Sequence, residues 1–413
     1  MAIFEQDYLA AGQRWQAAAA GIARTEDSGP ASDTLQRKEA FIRHQLATAG
    51  GARLWAGAPP PAPLHGQFGR ERIIGKNDLL SFDALLKAIA IGRFVGMVCQ
   101  HAPRPGLGAE GELVPVATGS MVSPRLLLTN NHVLGSREEA ARSVVKFDYQ
   151  LGENGVALAV STFELCPDAF FATDTALDYT LVAVASTAKE GAPLAHFGWN
   201  RLIGTEGKIL KGYPVNIIQH PEGNYKQIVL GGNEVLELSQ DDFLYDADTL
   251  PGSSGAPVFN REWEIVALHR RSVPHLIEGK IVTKGGQVWT RNIPESEIWW
   301  IGNLGTRVSS LVRHIKALPL DGEQSKLRRE LIDNEPPNPF LVSQQALGAR
   351  SGAQAESTDA GVVAGNVGNV GNVSKSSIAN QTAHASTTIQ VSVALELRID
   401  IASVTLSLPP RQA

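Results

Sequence analysis

The chain has 413 residues, 43% of them hydrophobic, with 40 glycines and a formal net charge of −5 from 37 basic and 42 acidic residues. That length suffices for two to three domains with cores of their own. The interspersed, nearly balanced charge excludes the basic footprint of a nucleic-acid or membrane-surface protein.

From the N-terminus, no basic stretch leads into an apolar core, so no signal peptide is expected and the cytoplasm is the default compartment; export by a route without a standard signal stays open. Phe4–Arg24 is alanine-rich and Leu35–Ala47 carries apolar residues at helical spacing, which predicts helices. Gly50–Gly69, with its run Pro59-Pro60-Pro61-Ala62-Pro63, reads as a linker. Phe82–Phe94 is helical again. Leu85–Cys99 is interrupted by Lys87 and Arg93 and falls short of the ~20 residues that span a bilayer, so no membrane segment is expected. Residues 1–75 thus read as a helical extension.

From Val95 to Arg291 the pattern changes to short apolar runs cut by Gly, Pro, Asn and Asp. Examples are Leu126-Leu127-Leu128, Tyr179–Ala185, Val215–Ile218, Gln227–Leu230 and Ile265–Leu268. Many short strands at this spacing predict a β-sandwich or barrel. Cys99 and Cys166, the two cysteines, read as buried thiols rather than a disulfide. Arg307–Leu318 is amphipathic and predicts a helix closing this unit, 76–320. Residues 321–385 are polar, then rich in Gly, Ala, Ser and Asn, with Gly365-Asn366-Val367 repeated through Val373, and read as a flexible linker. The closing β segment, 386–407, alternates strictly over Ile389–Ile401. Such a strand needs an edge to pair with, in this chain, in another copy or in a partner.

The chemistry concentrates in Thr249-Leu250-Pro251-Gly252-Ser253-Ser254-Gly255-Ala256-Pro257. Glycines flanking Ser254 permit a tight turn whose Gly252 and Ser254 N–H groups can face one developing oxyanion. A serine nucleophile requires a base, usually a histidine oriented by a carboxylate. Among ten histidines, His132 follows the apolar run in Leu128-Thr129-Asn130-Asn131-His132, at the end of a strand. Asp178 stands at the mouth of the apolar strand Tyr179-Thr180-Leu181-Val182, with Asp168 and Asp174 as nearby competitors. The order His132, Asp178, Ser254 departs from that of α/β-hydrolases and of subtilisins. No second ligand accompanies His220 at metal spacing, so neither metal nor other cofactor is expected.

These blocks resemble the trypsin-like serine proteases. Thr118-Gly119-Ser120-Met121-Val122-Ser123-Pro124 with Leu128–His132, then Asp178-Tyr179-Thr180-Leu181, then Gly252–Pro257, are similar to three motifs of that family in its order, over roughly residues 90–320. The resemblance implies a mainly β, chymotrypsin-like pair of six-stranded barrels with the site between them. His132 would be the base, Asp178 its orienter and Ser254 the nucleophile, with Gly252 and Ser254 N–H groups as oxyanion hole. Ser253 stands where the digestive branch has the aspartate that receives a freed N-terminus, so activation of that type is not expected. A closer resemblance is to bacterial glutamyl-endopeptidase-like members, which implies a propeptide that cleavage near Ile73 would remove. Thr249, five residues before Ser254, and His269 in Ala267-Leu268-His269 would form their pocket for a Glu or Asp side chain.

The function expected is therefore a serine endopeptidase acting on protein or peptide, with an acidic preference. Two other readings remain: a protease-fold binding or scaffold protein, and a latent effector module of a multi-protein bacterial system docked through its tail.

Overall fold

The computed structural model describes residues 5–6, 8–17, 37, 39–41, 43–44, 82–102, 111–338 and 341–342. All of them fall in one compact unit, Met1–Ala353. The Gly-Asn-Val repeat, the strand expected at 389–401, the proline-rich linker and Ile73 lie outside the described residues.

Helix α1 (Asp83–Gly92) leads into the first sheet, of seven antiparallel strands. These are β1 (Val95–His101), β2 (Leu113–Met121), β3 (Leu126–Thr129), β4 (Ser143–Phe147), β5 (Ser161–Glu164), β6 (Phe171–Asp174) and β7 (Tyr179–Ala183), with the short helix α2 (Arg137–Ala141) between β3 and β4. Their spatial order is β5-β4-β1-β2-β3-β7-β6. A bridge between Leu165 and Val184, just past β5 and β7, draws the sheet round on itself. The second sheet contains β8 (Asn216–Gln219), β9 (Gln227–Val229), β10 (Val235–Leu238), β11 (Asp242–Tyr245), β12 (Pro257–Phe259), β13 (Ile265–Pro274) and β16 (Trp300–Arg307). Its order is β10-β11-β16-β13-β12-β8-β9, and a Pro214–Glu234 bridge joins the β8 and β10 sides. A small hairpin, β14 (Leu276–Ile277) with β15 (Lys280–Ile281), projects from it.

This is the chymotrypsin-like double barrel, mainly β, with a C-terminal helix. Each sheet has seven strands rather than six, because β6 and β9, short outer strands, add to the edges. Closure lets single residues bridge strands whose edges would otherwise remain unpaired.

The two barrels fill differently. The first packs Phe147 against Phe163 edge-on at 5.7 Å and stacks it on Phe197 at 4.8 Å, over Met121, Leu126, Leu128 and Leu181, all fully buried. β3 and β7 are buried along their whole length, on both faces. That explains why they read as continuous apolar runs rather than alternating ones. The outer face is covered by α3 (Val308–Ala317), which follows the last strand of barrel two and returns to barrel one. Val308, Leu311, Val312 and Ile315 give α3 its single apolar stripe. The second barrel is smaller and centres on Val215, Ile217, Phe243, Tyr245, Val258 and Val266.

Residues 321–385 do not begin as a linker: Gly322–Asp333 forms α4. Leu327 and Leu331, one turn apart, are buried against the first core and Ile332 packs beside them, among mostly charged neighbours. A helix with so few apolar anchors is nearly invisible to periodicity and owes its existence to packing. Residues 8–17 are helical as expected, and they pack on the second barrel: Trp15 is buried with Leu244, Val273 and Leu304. Among the described residues no helix is long and apolar enough to cross a membrane. Both cysteines are free, Cys99 buried and Cys166 partly so.

Candidate active site

His132 follows β3, Asp178 ends the turn before β7, and Ser254 precedes β12 in the other barrel. Since β3 pairs with β7 in register from Leu126–Ala183 to Thr129–Thr180, the two barrel-one residues emerge side by side. His132 Nδ1 lies 2.9 Å and 3.1 Å from the two carboxylate oxygens of Asp178. The backbone N–H of His132 also donates to Asp178 Oδ1 at 3.1 Å. On its other side, His132 Nε2 is 3.0 Å from Ser254 Oγ. Asp168 has no place in this chain of contacts, and Asp174 accepts from Leu177 N within its own turn.

Asp178 is 3% exposed and adopts φ 51°, a left-handed conformation that Asp tolerates better than most residues. Asn130 Nδ2 donates to Asp178 O at 2.8 Å and pins that conformation. Burial pushes the carboxyl up, but the hydrogen bond and charge of His132 and the charge of Arg270 outweigh it and hold it at about 2. An ionised Asp178 fixes the His132 proton on Nδ1, leaving Nε2 to accept from Ser254. Ser254 Oγ also lies 3.3 Å from the Arg270 carbonyl, but Nε2 is nearer and in line as proton acceptor.

The turn that carries Ser254 is built before any ligand arrives. Ser253, fully buried, accepts Leu250 N on its hydroxyl at 3.1 Å and donates its own N–H to Leu250 O at 3.0 Å. A neutral hydroxyl thus closes the turn where a carboxylate would call for a buried cation. Gly252 has φ 96°, and a Cβ there would sit 2.7 Å from His220 O. Thr118, on β2, ties this turn to the first barrel: its N–H donates to Ser254 O at 2.9 Å and its hydroxyl to Gly252 O at 2.9 Å. The same hydroxyl accepts His220 N at 2.9 Å. Among the described residues the N–H groups of Gly252 and Ser254 have no acceptor. His220 itself is a packed residue: burial pushes its imidazole down to about 3, so it is neutral.

A cleft of about 790 Å³ opens beside Ser254 and His132, and both predicted pocket residues line it. His269 is 3% exposed, and burial holds it neutral with a pKa pushed down to about 3. Its Nδ1 lies 2.7 Å from the hydroxyl of the buried Tyr245. Were that hydroxyl the acceptor, its own proton would be buried without a partner, so Tyr245 donates and the His269 proton sits on Nε2. Thr249 behaves otherwise. Its hydroxyl donates to Asn303 Oδ1 at 2.7 Å, as does Ser272 Oγ at 2.9 Å. Asn303 Nδ2 donates to Ala247 O at 2.7 Å, which fixes the amide orientation. Thr249 therefore meets a substrate as an acceptor, and of the two expected pocket groups His269 alone supplies a proton.

The sequence did not point to Arg270, Asp242, Tyr245 or Asn303. Arg270, 5% exposed, places Nε 3.2 Å from Asp178 Oδ2 and Nη1 3.3 Å from Asp242 Oδ1. Arg271 adds a guanidinium 3.8 Å from Asp178. A pair of consecutive arginines inside an otherwise apolar strand was the available signal, because buried cations occur where anions await them.

Residues 117–268 match the family model described as trypsin-like peptidase domain. The fold is that of a trypsin-like protease. Over 264 residues, 60% of the chain, it is 36% identical to a protein of Sinorhizobium fredii (strain NBRC 101917 / NGR234) described as "Uncharacterized protein y4fB". The chain spans 39% of that relative's length. The trypsin-like match ends at 268, one residue before His269, so it contains His132, Asp178 and Ser254 and stops short of Arg270.

Proposed function

We propose that the chain is a serine endopeptidase. The observation that carries this reading is the unbroken line from Asp178 through His132 to Ser254, at 2.9 Å and 3.0 Å, beside two N–H groups with no acceptor among the described residues. Ser254 Oγ attacks a peptide carbonyl as its proton passes to His132 Nε2. Gly252 and Ser254 N–H groups take the negative charge on the carbonyl oxygen. His132 then gives the proton to the leaving amine, and water hydrolyses the acyl group on Ser254 by the same route.

Arg270 and Arg271 line the cleft, and the acidic preference rests chiefly on His269. Its Nε2–H suits an oxygen acceptor on the substrate side chain, as a Glu or Asp carboxylate offers. Asp246, Asp248 and Glu295 also line the cleft and oppose a carboxylate, so the preference depends on how closely the side chain approaches the imidazole.

A fluorophosphonate probe tests the catalytic reading. Wild-type protein should be labelled and Ser254→Ala should not. An unlabelled wild type would leave the protease-fold binding or scaffold reading in its place. Cleavage profiling on a peptide library tests the pocket: Glu and Asp should be enriched before the scissile bond and His269→Ala should erase the enrichment. Cleavage after Lys or Arg would instead assign the pocket to Asp246 and Asp248.

A further inference from the structure

Arg270 serves two buried carboxylates, Asp178 and Asp242, whose side chains are 4% and 5% exposed. Asp178 also has the Arg271 guanidinium at 3.8 Å, whereas Asp242 has only its share of Arg270 within barrel two. The second cation comes from the N-terminal helical residues. Arg14 Nε donates to Asp242 Oδ2 at 2.9 Å, so Asp242 holds Arg14 on one oxygen and Arg270 on the other. Arg14 Nη1 also donates to Ala176 O, and Arg270 Nη1 reaches the same carbonyl at 3.5 Å. Ala176 lies two residues before Asp178, in the turn that holds Asp178 at positive φ. Two arginines far apart in the chain therefore grip that turn: both reach Ala176 O, while Arg270 also holds Asp178 and Arg14 also holds Asp242.

The segment bearing Arg14 is anchored independently of it. Trp15 is 7% exposed in its apolar niche, Gln16 Nε2 donates to Leu276 O at 3.3 Å, and the Tyr8 ring meets Trp300 edge-on at 5.0 Å. Tyr8 also lines the cleft beside Ser254. The described residues 8–17 leave His132 and Ser254 lining the cleft.

We propose that the N-terminal helical residues are a working part of the active site, with Arg14 a positioning residue that acts through Asp242 and Arg270 on the turn carrying Asp178. The inference rests on the serine-endopeptidase reading above. Without Arg14, Asp242 draws on Arg270 alone and competes with Asp178 for its charge, and the Asp178 turn loses a hydrogen bond at Ala176 O. Residues 1–17 thus contribute to activity instead of restraining it, and a cut near Ile73 would leave them docked.

The test uses the full chain and four variants: Arg14→Gln, Arg14→Lys, Asp242→Asn, and Arg14→Gln with Asp242→Asn. Each is measured as the rate of fluorophosphonate labelling and as kcat and KM on a peptide chosen from the library. Arg14→Gln should label about tenfold more slowly and lose kcat with KM unchanged. Arg14→Lys should recover most of the rate. Because Arg14 acts mainly through Asp242 and otherwise only through Ala176 O, the double variant should be slower than Asp242→Asn by far less than tenfold. Wild-type labelling of Arg14→Gln, a loss confined to KM, or a full additional loss in the double variant would each overturn the proposal. So would an Arg14→Lys protein whose thermal midpoint is restored while its labelling is not. Failure of the wild type itself to label would instead remove the endopeptidase reading, and this inference with it.

Discussion

Replacing Asp178 by asparagine keeps the shape of the side chain and removes the charge that Arg270 and His132 surround. In the folded protein the carboxyl is held at about 2, against an ordinary 3.8. At ~1.4 kcal/mol per pH unit, that difference is worth roughly 2 kcal/mol of folding stability. Because the folded value is the lower one, this contribution is fully present above 3.8 and is lost as pH falls from there towards 2. Asp178→Asn should therefore unfold at a lower urea concentration at pH 7, and the gap to wild type should narrow as the pH drops below 3.8. The same change alters the reaction. An asparagine amide cannot accept from Nδ1 and donate to it at once, so the His132 proton is free to move to Nε2, where it blocks transfer from Ser254. In a triad of this kind the swap costs about 10⁴ in kcat. The assay is urea unfolding at several pH values alongside the rate of fluorophosphonate labelling. A stability gap of constant size from pH 7 into the acid range would refute the argument that Asp178 is a buried, charge-compensated carboxylate. Labelling within tenfold of wild type would refute its role in orienting His132.

Two further outcomes follow from the barrel interface and from the buried histidines. Thr118→Val is nearly isosteric but strips Gly252 O and His220 N of their shared hydroxyl. It should cost about 1–3 kcal/mol and slow labelling by loosening the Ser254 turn, and an unchanged thermal midpoint would contradict this. His220 and His269 are neutral in the fold, with pKa values near 3 against 6.5 ordinarily. The unfolded chain binds protons that the fold refuses between those values, so stability should fall as pH drops from 6.5 towards 3. His220→Gln should flatten that slope in urea titrations, and an unaltered slope would show that the imidazole is accessible to protons.

How much was legible in advance varied with the range of the interaction. The apolar runs Leu126–Leu128, Tyr179–Ala185 and Ile265–Leu268 marked three strands, and the amphipathic spacing of Arg307–Leu318 marked the helix Val308–Ala317, because each is a local signal, although the last of these strands runs on to Pro274. The helix Gly322–Asp333 was hidden among charges, since Leu327, Leu331 and Ile332 are its few apolar contacts with the core. Thr249 and His269 both line the cleft, yet their hydrogen-bonding depends on Asn303 and Tyr245, which stand 54 and 24 residues away. A hydroxyl's direction is set by its partner, and the partner was not readable.

The sequence by itself determined which side chains could do chemistry: a serine between glycines, a histidine at a strand end and an aspartate at a strand mouth, in one particular order. Those features are local, fixed by turn geometry and strand patterning. Only the tertiary structure decided what surrounds them. Asp178 draws on Arg270, 92 residues on, and Arg270 shares Asp242 with Arg14, 228 residues from it. A buried charge is tolerated only where an opposite charge is brought to it, and it is the closing of the barrels that brings them together.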